Sequence, residues 1–255
     1  MTQMLAGKKG LVVGIANQHS IAWGCAKAFH TEGAELGITY LNEKAEPYVR
    51  TLAQQVGAPV ILPLDVRDDA QMDAVFDTVK AKWEKLDFLL HAVAFAPKAD
   101  LHGRVADCSR QGFLTAMDIS CYSFIRMAHS AEPLMTAGGC LLTTSNYGGE
   151  QVVEHYNIMG PVKSALEGTV KYLAAEMGKS RIRVNVVSPG PILTRAGSGL
   201  ADFDELLREA QRKSPLRETP QIDDVGALAA FLVSDGARHI TGNVAFIDCG
   251  THVMG

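Results

Sequence analysis

A tyrosine and a lysine stand seven residues apart in Tyr156-Asn-Ile-Met-Gly-Pro-Val-Lys163. On a helix that spacing turns through ~700°, about 20° short of two full turns. It predicts two side chains on one helical face, able to share a small site. A lysine ammonium beside a phenol favours the phenolate and makes the phenol a better proton donor to a developing oxyanion. An amphipathic helix also carries such pairs with no shared role, so the surrounding residues decide.

A second constellation is suited to binding phosphate. Gly14-Ile-Ala-Asn-Gln-His-Ser20-Ile21-Ala-Trp-Gly24 follows an apolar run. Glycine lets the backbone approach a phosphate, and a following helix points free N–H groups at it. The spacing is not G-x-G-x-x-G: Gly14 takes the first turn, Ala16 and Ser20 the middle. Gly24 is expected where helix packs close to strand. After the second apolar run, an acidic residue at the strand end would hold ribose hydroxyls and an arginine would favour a 2′-phosphate. Leu41 stands there, followed by Glu43 and Lys44. This favours NADH over NADPH. Asp65-Val66, after the third run, fits a carboxylate accepting from an adenine amine, or equally an N-cap for the next helix.

The elements that must position these residues alternate in type. Strand-like runs fall at 10–14, 35–40, 59–64, 86–93, 139–145, 183–188 and 243–248. Helical periodicity falls at 21–31, 44–56, 70–84, 110–135, 155–177, 202–212 and 222–234. Strands apolar on both sides (Leu-Val-Val, Phe-Leu-Leu, Val-Asn-Val-Val) predict a parallel sheet covered on both faces. With right-handed crossovers this is a single-domain α/β, Rossmann-type, doubly wound fold with a seven-stranded parallel sheet. Ligands then bind at the carboxyl ends of the strands. The unusual residues cluster after those ends, at 14–20, 65–66, 91–97, 145–154 and 188–199.

Bulk properties exclude other classes. The 255 residues carry a net charge of −4, with no basic excess for nucleic acid or an anionic membrane. No apolar run reaches the ~18 residues of a membrane span. The segment before the first strand is too short for a signal peptide. Five cysteines without C-x-x-C spacing read as reduced thiols rather than metal ligands. A cytoplasmic location is expected.

Taken together, Gly14-Ile-Ala…Ser20-Ile-Ala-Trp-Gly, Leu64-Asp-Val, His91-Ala-Val-Ala-Phe-Ala-Pro, Met117-Asp-Ile-Ser, Tyr156-Asn-x-Met-Gly-x-x-Lys163, Arg183-Val-Asn-x-x-Ser-Pro-Gly-Pro-Ile-x-Thr194 and Ser198-Gly span nearly the whole chain. Their pattern resembles the bacterial NADH-dependent enoyl-acyl carrier protein reductases, divergent members of the short-chain dehydrogenase/reductase superfamily. Tyr-x6-Lys is specific to that group; at the commoner Tyr-x3-Lys spacing this chain has Gly160. The resemblance implies hydride transfer from NADH to the β-carbon of a trans-2-enoyl thioester, with the enolate oxygen stabilised by Tyr156 and the nicotinamide ribose held by Lys163. It places Ser20, Ile21, Leu41, Asp65, Val66 and Val93 at the cofactor, Ile192 and Thr194 at the nicotinamide, and Ala96 near the thioester. It implies a lid around 193–213, reaching Phe203 over the acyl pocket, an acyl carrier protein partner, and a homotetramer built through 110–135 and 155–177.

The sequence also departs from that pattern. The usual second tyrosine is Asn146, with Tyr147 beside it as a replacement only if the loop shifts. Leu41 stands for a usual glutamine and Ala92 for a frequent serine. Glu154 puts a carboxylate near Tyr156, where it would oppose Lys163. Arg195 follows Thr194 in place of an apolar residue. The lid opens acidic, Ala201-Asp-Phe-Asp204-Glu205, and its basic residues, Arg208, Arg212, Lys213 and Arg217, come later. Two alternatives follow. One is a carbonyl or alcohol dehydrogenase, which needs a serine about 13 residues before the tyrosine, where Thr143 stands with Ser145 nearby. The other is a nucleotide-binding protein with little catalysis.

Overall fold

The computed structural model describes residues 3–194 and 203–254. Seven strands form one sheet: β1 (Lys9–Val13), β2 (Glu35–Tyr40), β3 (Val60–Pro63), β4 (Phe88–His91), β5 (Gly139–Thr144), β6 (Ile182–Pro189) and β7 (Val244–Ile247). Their order is β3-β2-β1-β4-β5-β6-β7, and every pairing is parallel. The order reverses between β1 and β4, where a crevice opens at the carboxyl ends.

Successive residues of each central strand enter opposite cores, because side chains alternate across a pleated sheet. Val12, Leu90, Leu142 and Val187 join one core; Leu11, Leu89, Leu141 and Val186 join the other. Helices α1 (Ile21–Thr31) and α2 (Glu46–Gln55) cover the first face together with α9 (Ile222–Val233). The second face carries α3 (Asp69–Trp83), α6 (Ser123–Ala131) and α7 (Met159–Met177). The short α4 (Lys98–Leu101), α5 (Arg110–Met117) and α8 (Phe203–Lys213) lie at the carboxyl end of the sheet or lead into it.

Two helical segments differ from the sequence expectation. Residues 110–135 are not one α-helix: a π-type turn at Asp118–Tyr122 separates α5 from α6. The second difference bears on the site. The helix expected from residue 155 begins only at Met159, since His155 and Asn157 have φ of 61° and 45°, left-handed values that no right-handed helix admits.

Gly24 does not serve helix-on-strand packing as expected. A Cβ there would collide with the Ile222 carbonyl, and one at Gly226 with the Gly24 carbonyl. The two glycines let α1 and α9 cross backbone to backbone, which sets α1 on the sheet. Among the described residues, no helix is long and apolar enough to cross a membrane, and no group of His, Cys, Asp or Glu could hold a metal ion. None of the five cysteines is in a disulfide.

Candidate active site

At the nucleotide end, β1 stops at Val13 and Gly14 turns with φ of 116°. A Cβ on Gly14 would collide with the Ala92 carbonyl beyond β4, so this backbone approach is open only to glycine. Ser20 ties the loop to itself: its hydroxyl accepts from the N–H groups of Ala16 and Asn17 at 3.0 and 3.1 Å. No side chain caps α1, which opens at Ile21 with the partial positive charge of its N-terminus at the crevice mouth. A backbone cradle that a Cβ would fill, backed by an uncapped helix start, fits a dinucleotide pyrophosphate.

The other expected cofactor residues ring the same crevice. Leu41 follows β2 and is 54% exposed; Val66 is buried and Val93 partly buried. Asp65 does not cap α3. Asp68 does, accepting from Gln71 N–H at 3.1 Å, while the Asp65 carboxylate is gripped by the Arg67 guanidinium at 2.5 and 3.0 Å. That pairing holds the Asp65 carboxyl below its usual range. Ile192, Ala96 and Phe203 are buried. Thr194 is the last described residue before 203; Arg195, Ser198 and Ala201, with the lid segment 195–202, lie outside the described residues.

At the reactive end, Lys163 lies on α7, 3% exposed, and its Nζ donates to the Thr144 carbonyl at the end of β5 at 2.7 Å. Burial pushes this ammonium down to about 8, with Glu167 opposing the fall. Tyr156 is not on the helix. It sits in the turn ahead of α7, its backbone closing onto Val153 and Met159, and its ring lies against Gly148. Burial raises its pKa, and the carboxylate adding to that rise is Glu167, not the exposed Glu154. The phenol therefore stays protonated. The Lys163 ammonium donates to the end of β5, and the tyrosine lies in the turn ahead of α7.

Asn146 serves the backbone: its side chain accepts from Gly148 N–H at 2.9 Å and caps a short 3₁₀ turn, Tyr147–Gly149. Tyr147 faces elsewhere. With Phe203, Leu206 and Ala210 of α8 it lines a cleft of about 870 Å³, and its phenol feels Lys213, Glu209 and Asp248. Thr143 is fully buried and bonded at 2.9 Å to His91, so it is no hydroxyl for a substrate. Ser145 likewise gives its hydroxyl to Glu167.

The sequence reading named His91 only as the start of a motif, and it missed Glu167. His91, fully buried, lies between the hydroxyls of Thr143 and Ser123 at 2.9 and 2.8 Å, and burial depresses its pKa to about 3. Glu167 lies one turn beyond Lys163 on an apolar face with Leu166 and Val170. An acid at i+4 from a lysine on an otherwise apolar helix face was the available signal.

The chain is similar to known proteins over nearly its whole length. Residues 14–252 match the family model described as enoyl-(acyl carrier protein) reductase. The chain is 46% identical over 253 residues to enoyl-[acyl-carrier-protein] reductase [NADH] 2 of Rhizobium meliloti, covering 99% of this chain and 94% of that protein. A Rickettsia typhi protein called enoyl-[acyl-carrier-protein] reductase [NADH] is 44% identical, covering 100% of this chain and 97% of that protein. The crystal structure of the Anaplasma phagocytophilum reductase in complex with NAD superposes with a TM-score of 0.96 at 49% identity, covering 100% of this chain and 97% of that one. The Bacillus cereus reductase, solved with NADP+ and an indole naphthyridinone, superposes with a TM-score of 0.97 at 44% identity and 99% coverage of each.

Proposed function

The chain belongs to the enoyl-acyl carrier protein reductase family as an NADH-dependent member, and on that premise we propose how its residues divide the work. The protein reduces a trans-2-enoyl thioester to the saturated acyl thioester in fatty acid synthesis. The observation that carries the assignment is the buried Lys163 anchored to the end of β5 beside the turn bearing a protonated Tyr156. When bound, NADH supplies hydride to the β-carbon of the enoyl group.

Tyr156 donates a hydrogen bond to the oxygen of the enolate that forms, and the thioester carbonyl returns when the α-carbon takes up a proton from solvent. A preorganised donor held away from water is worth several kcal/mol in such a step. Its raised pKa keeps that proton in place across the working range. Lys163 holds the nicotinamide ribose, with its remaining donors pointing away from Thr144. Gly14, Ser20 and Ile21 hold the pyrophosphate side, while Asp65 and Val66 take the adenine. Arg67 must then share Asp65 with the base. Val93, Ile192 and Thr194 line the nicotinamide side. Ala96 and Phe203 bound the acyl site, closed by a lid over 193–213 within a single domain. Tyr147 belongs to the wall under α8 and does not replace a second catalytic tyrosine at Asn146.

Acyl carrier protein is the proposed bearer of the substrate, and a homotetramer in the cytoplasm the proposed setting. The basic residues of α8 are partly neutralised within the helix: Arg208 pairs with Glu205 at 2.8 Å and Lys213 with Glu209 at 2.9 Å. The test compares kcat/KM for one trans-2-enoyl chain carried on acyl carrier protein and on coenzyme A, followed by loss of NADH. A higher value on the carrier protein supports the reading. Equal values remove the carrier-protein partner, and reduction of simple carbonyls in place of enoyl thioesters overturns the assignment itself.

A further inference from the structure

Glu167 has no part in the chemistry above, yet it is buried against both residues that do. It lies four residues beyond Lys163 on the same face of α7, and the two side-chain-bearing residues are 5% and 3% exposed. Its carboxylate accepts from the Ser145 hydroxyl, while Lys163 donates to the carbonyl of Thr144, the residue before. An acid and a cation one helical turn apart thus grip consecutive residues at the end of β5. The following loop rests on the same acid: a Cβ on Gly149 would lie 2.5 Å from a Glu167 oxygen, and one on Gly148 would lie 2.6 Å from the Tyr156 ring. The carboxylate has the Ser145 hydroxyl as its hydrogen-bond partner and lies beyond ion-pair contact with the ammonium, so it acts on that charge across the closed site, where a buried charge needs an opposite one.

We propose that Glu167 is the counter-ion that keeps Lys163 protonated in the closed site and, through Ser145, fixes the loop on which Tyr156 packs. It is a positioning residue, touching neither thioester nor dinucleotide. Burial alone drives the lysine toward neutrality, and Glu167 is the largest influence acting the other way, ahead of Cys121. The titratable groups facing the pair come from every neighbouring element: Glu150 from the loop after β5, Lys171 along α7, Cys121 from the π-type turn, His91 from β4 and Tyr156 from the turn before α7. Burial raises the Glu167 carboxyl above its usual range and Glu150 adds to the rise; the Ser145 hydroxyl, then Lys163 and Lys171, oppose it and favour the carboxylate. His91, neutral far below physiological pH, adds no charge.

The inference rests on the reading that a charged Lys163 holds the cofactor, so the experiment reads lysine charge and cofactor binding separately. The full-length protein is labelled with carbon-13 at lysine Cε, and the Lys163 signal is identified by its loss in Lys163→Arg. In the wild type it is expected to titrate below the usual lysine range, near pH 8. In Glu167→Gln, which keeps an acceptor for Ser145 and the side-chain shape, the midpoint falls by about one pH unit or more. Glu167→Asp, which keeps the charge, returns it toward the wild-type value and guards against a misfolded glutamine variant. An unmoved midpoint in a folded Glu167→Gln overturns the proposal. NADH affinity is measured across the same range by fluorescence. Affinity that falls as the lysine loses its proton, and earlier in Glu167→Gln, supports both readings. A shifted lysine midpoint with NADH affinity flat across it sinks the ribose role of Lys163 and leaves the counter-ion standing.

Discussion

The two ends of the crevice are built by opposite means. At the nucleotide end, close approach of backbone does the work: Gly14 lies against the Ala92 carbonyl, Gly24 against α9, and Ser20 binds its own loop. Glu43 there is exposed, and the partly buried Asp65 is satisfied by Arg67. At the acyl end the backbone is irregular, with left-handed residues on either side of Tyr156, and titratable side chains are buried with displaced pKa values. A pyrophosphate has fixed charge and shape, which backbone dipoles meet without titrating. A carbonyl oxygen that becomes anionic only during reaction needs donors whose protonation state is controlled. Each end is shaped by the kind of charge it must meet.

That contrast can be broken first at its reactive end. Tyr156→Phe should lower kcat by roughly 10²–10³-fold, the usual cost of one lost oxyanion donor, with NADH affinity nearly unchanged. A tenfold loss of NADH affinity instead would mean that the tyrosine belongs to the binding machinery.

The joint between the ends is His91, and it makes stability depend on pH. Its folded pKa of about 3 lies well below the unfolded value of ~6.5, so between these limits the unfolded chain binds the extra proton. Stability then falls as pH drops from ~6.5 toward 3, by up to ~1.4 kcal/mol per pH unit. Urea midpoints at a series of pH values measure this. Other carboxylates share the trend, so the decisive comparison is His91→Gln, which should flatten the slope; an unchanged slope removes His91 as its source.

Lys163 gives a slope of the same sign in the alkaline range. Its folded value near 8 lies below the unfolded ~10.4, so stability from this group rises with pH between them. A smaller effect tests the neutral end. Gly24→Val should cost about 1–3 kcal/mol of stability by forcing α1 off α9, read as a lower melting temperature with no change in the pH dependence of unfolding. A changed pH dependence would mean that the two ends share their electrostatics.

Much of the frame was legible in the chain. The alternation of Leu11 with Val12, and of Leu89 with Leu90, marked strands buried on both sides, and the observed sheet places those pairs in opposite cores. Gly14, Ser20 and Ile21 were legible for the same reason, since a strand running into a helix through glycine is a local pattern. The Tyr156-x6-Lys163 spacing was legible as a pair, but its geometry was not helical. Left-handed values at His155 and Asn157 depend on how the loop after β5 packs, as does the Asn157 side chain bonding to the Leu101 carbonyl. Gly24 was seen as a packing glycine with the wrong partner, because α9 meets α1 only through the folded sheet.

The sequence by itself determined the order of elements along the chain, the strand ends where ligand must lie, and the residue types that meet there, because each is written in local periodicity and spacing. Only the tertiary structure decided which groups are charged, neutral or shared. Burial, and neighbours as distant in the chain as Ser145 and Glu167 or His91 and Thr143, set a pKa, and desolvation is a property of the closed fold that no single stretch of chain contains.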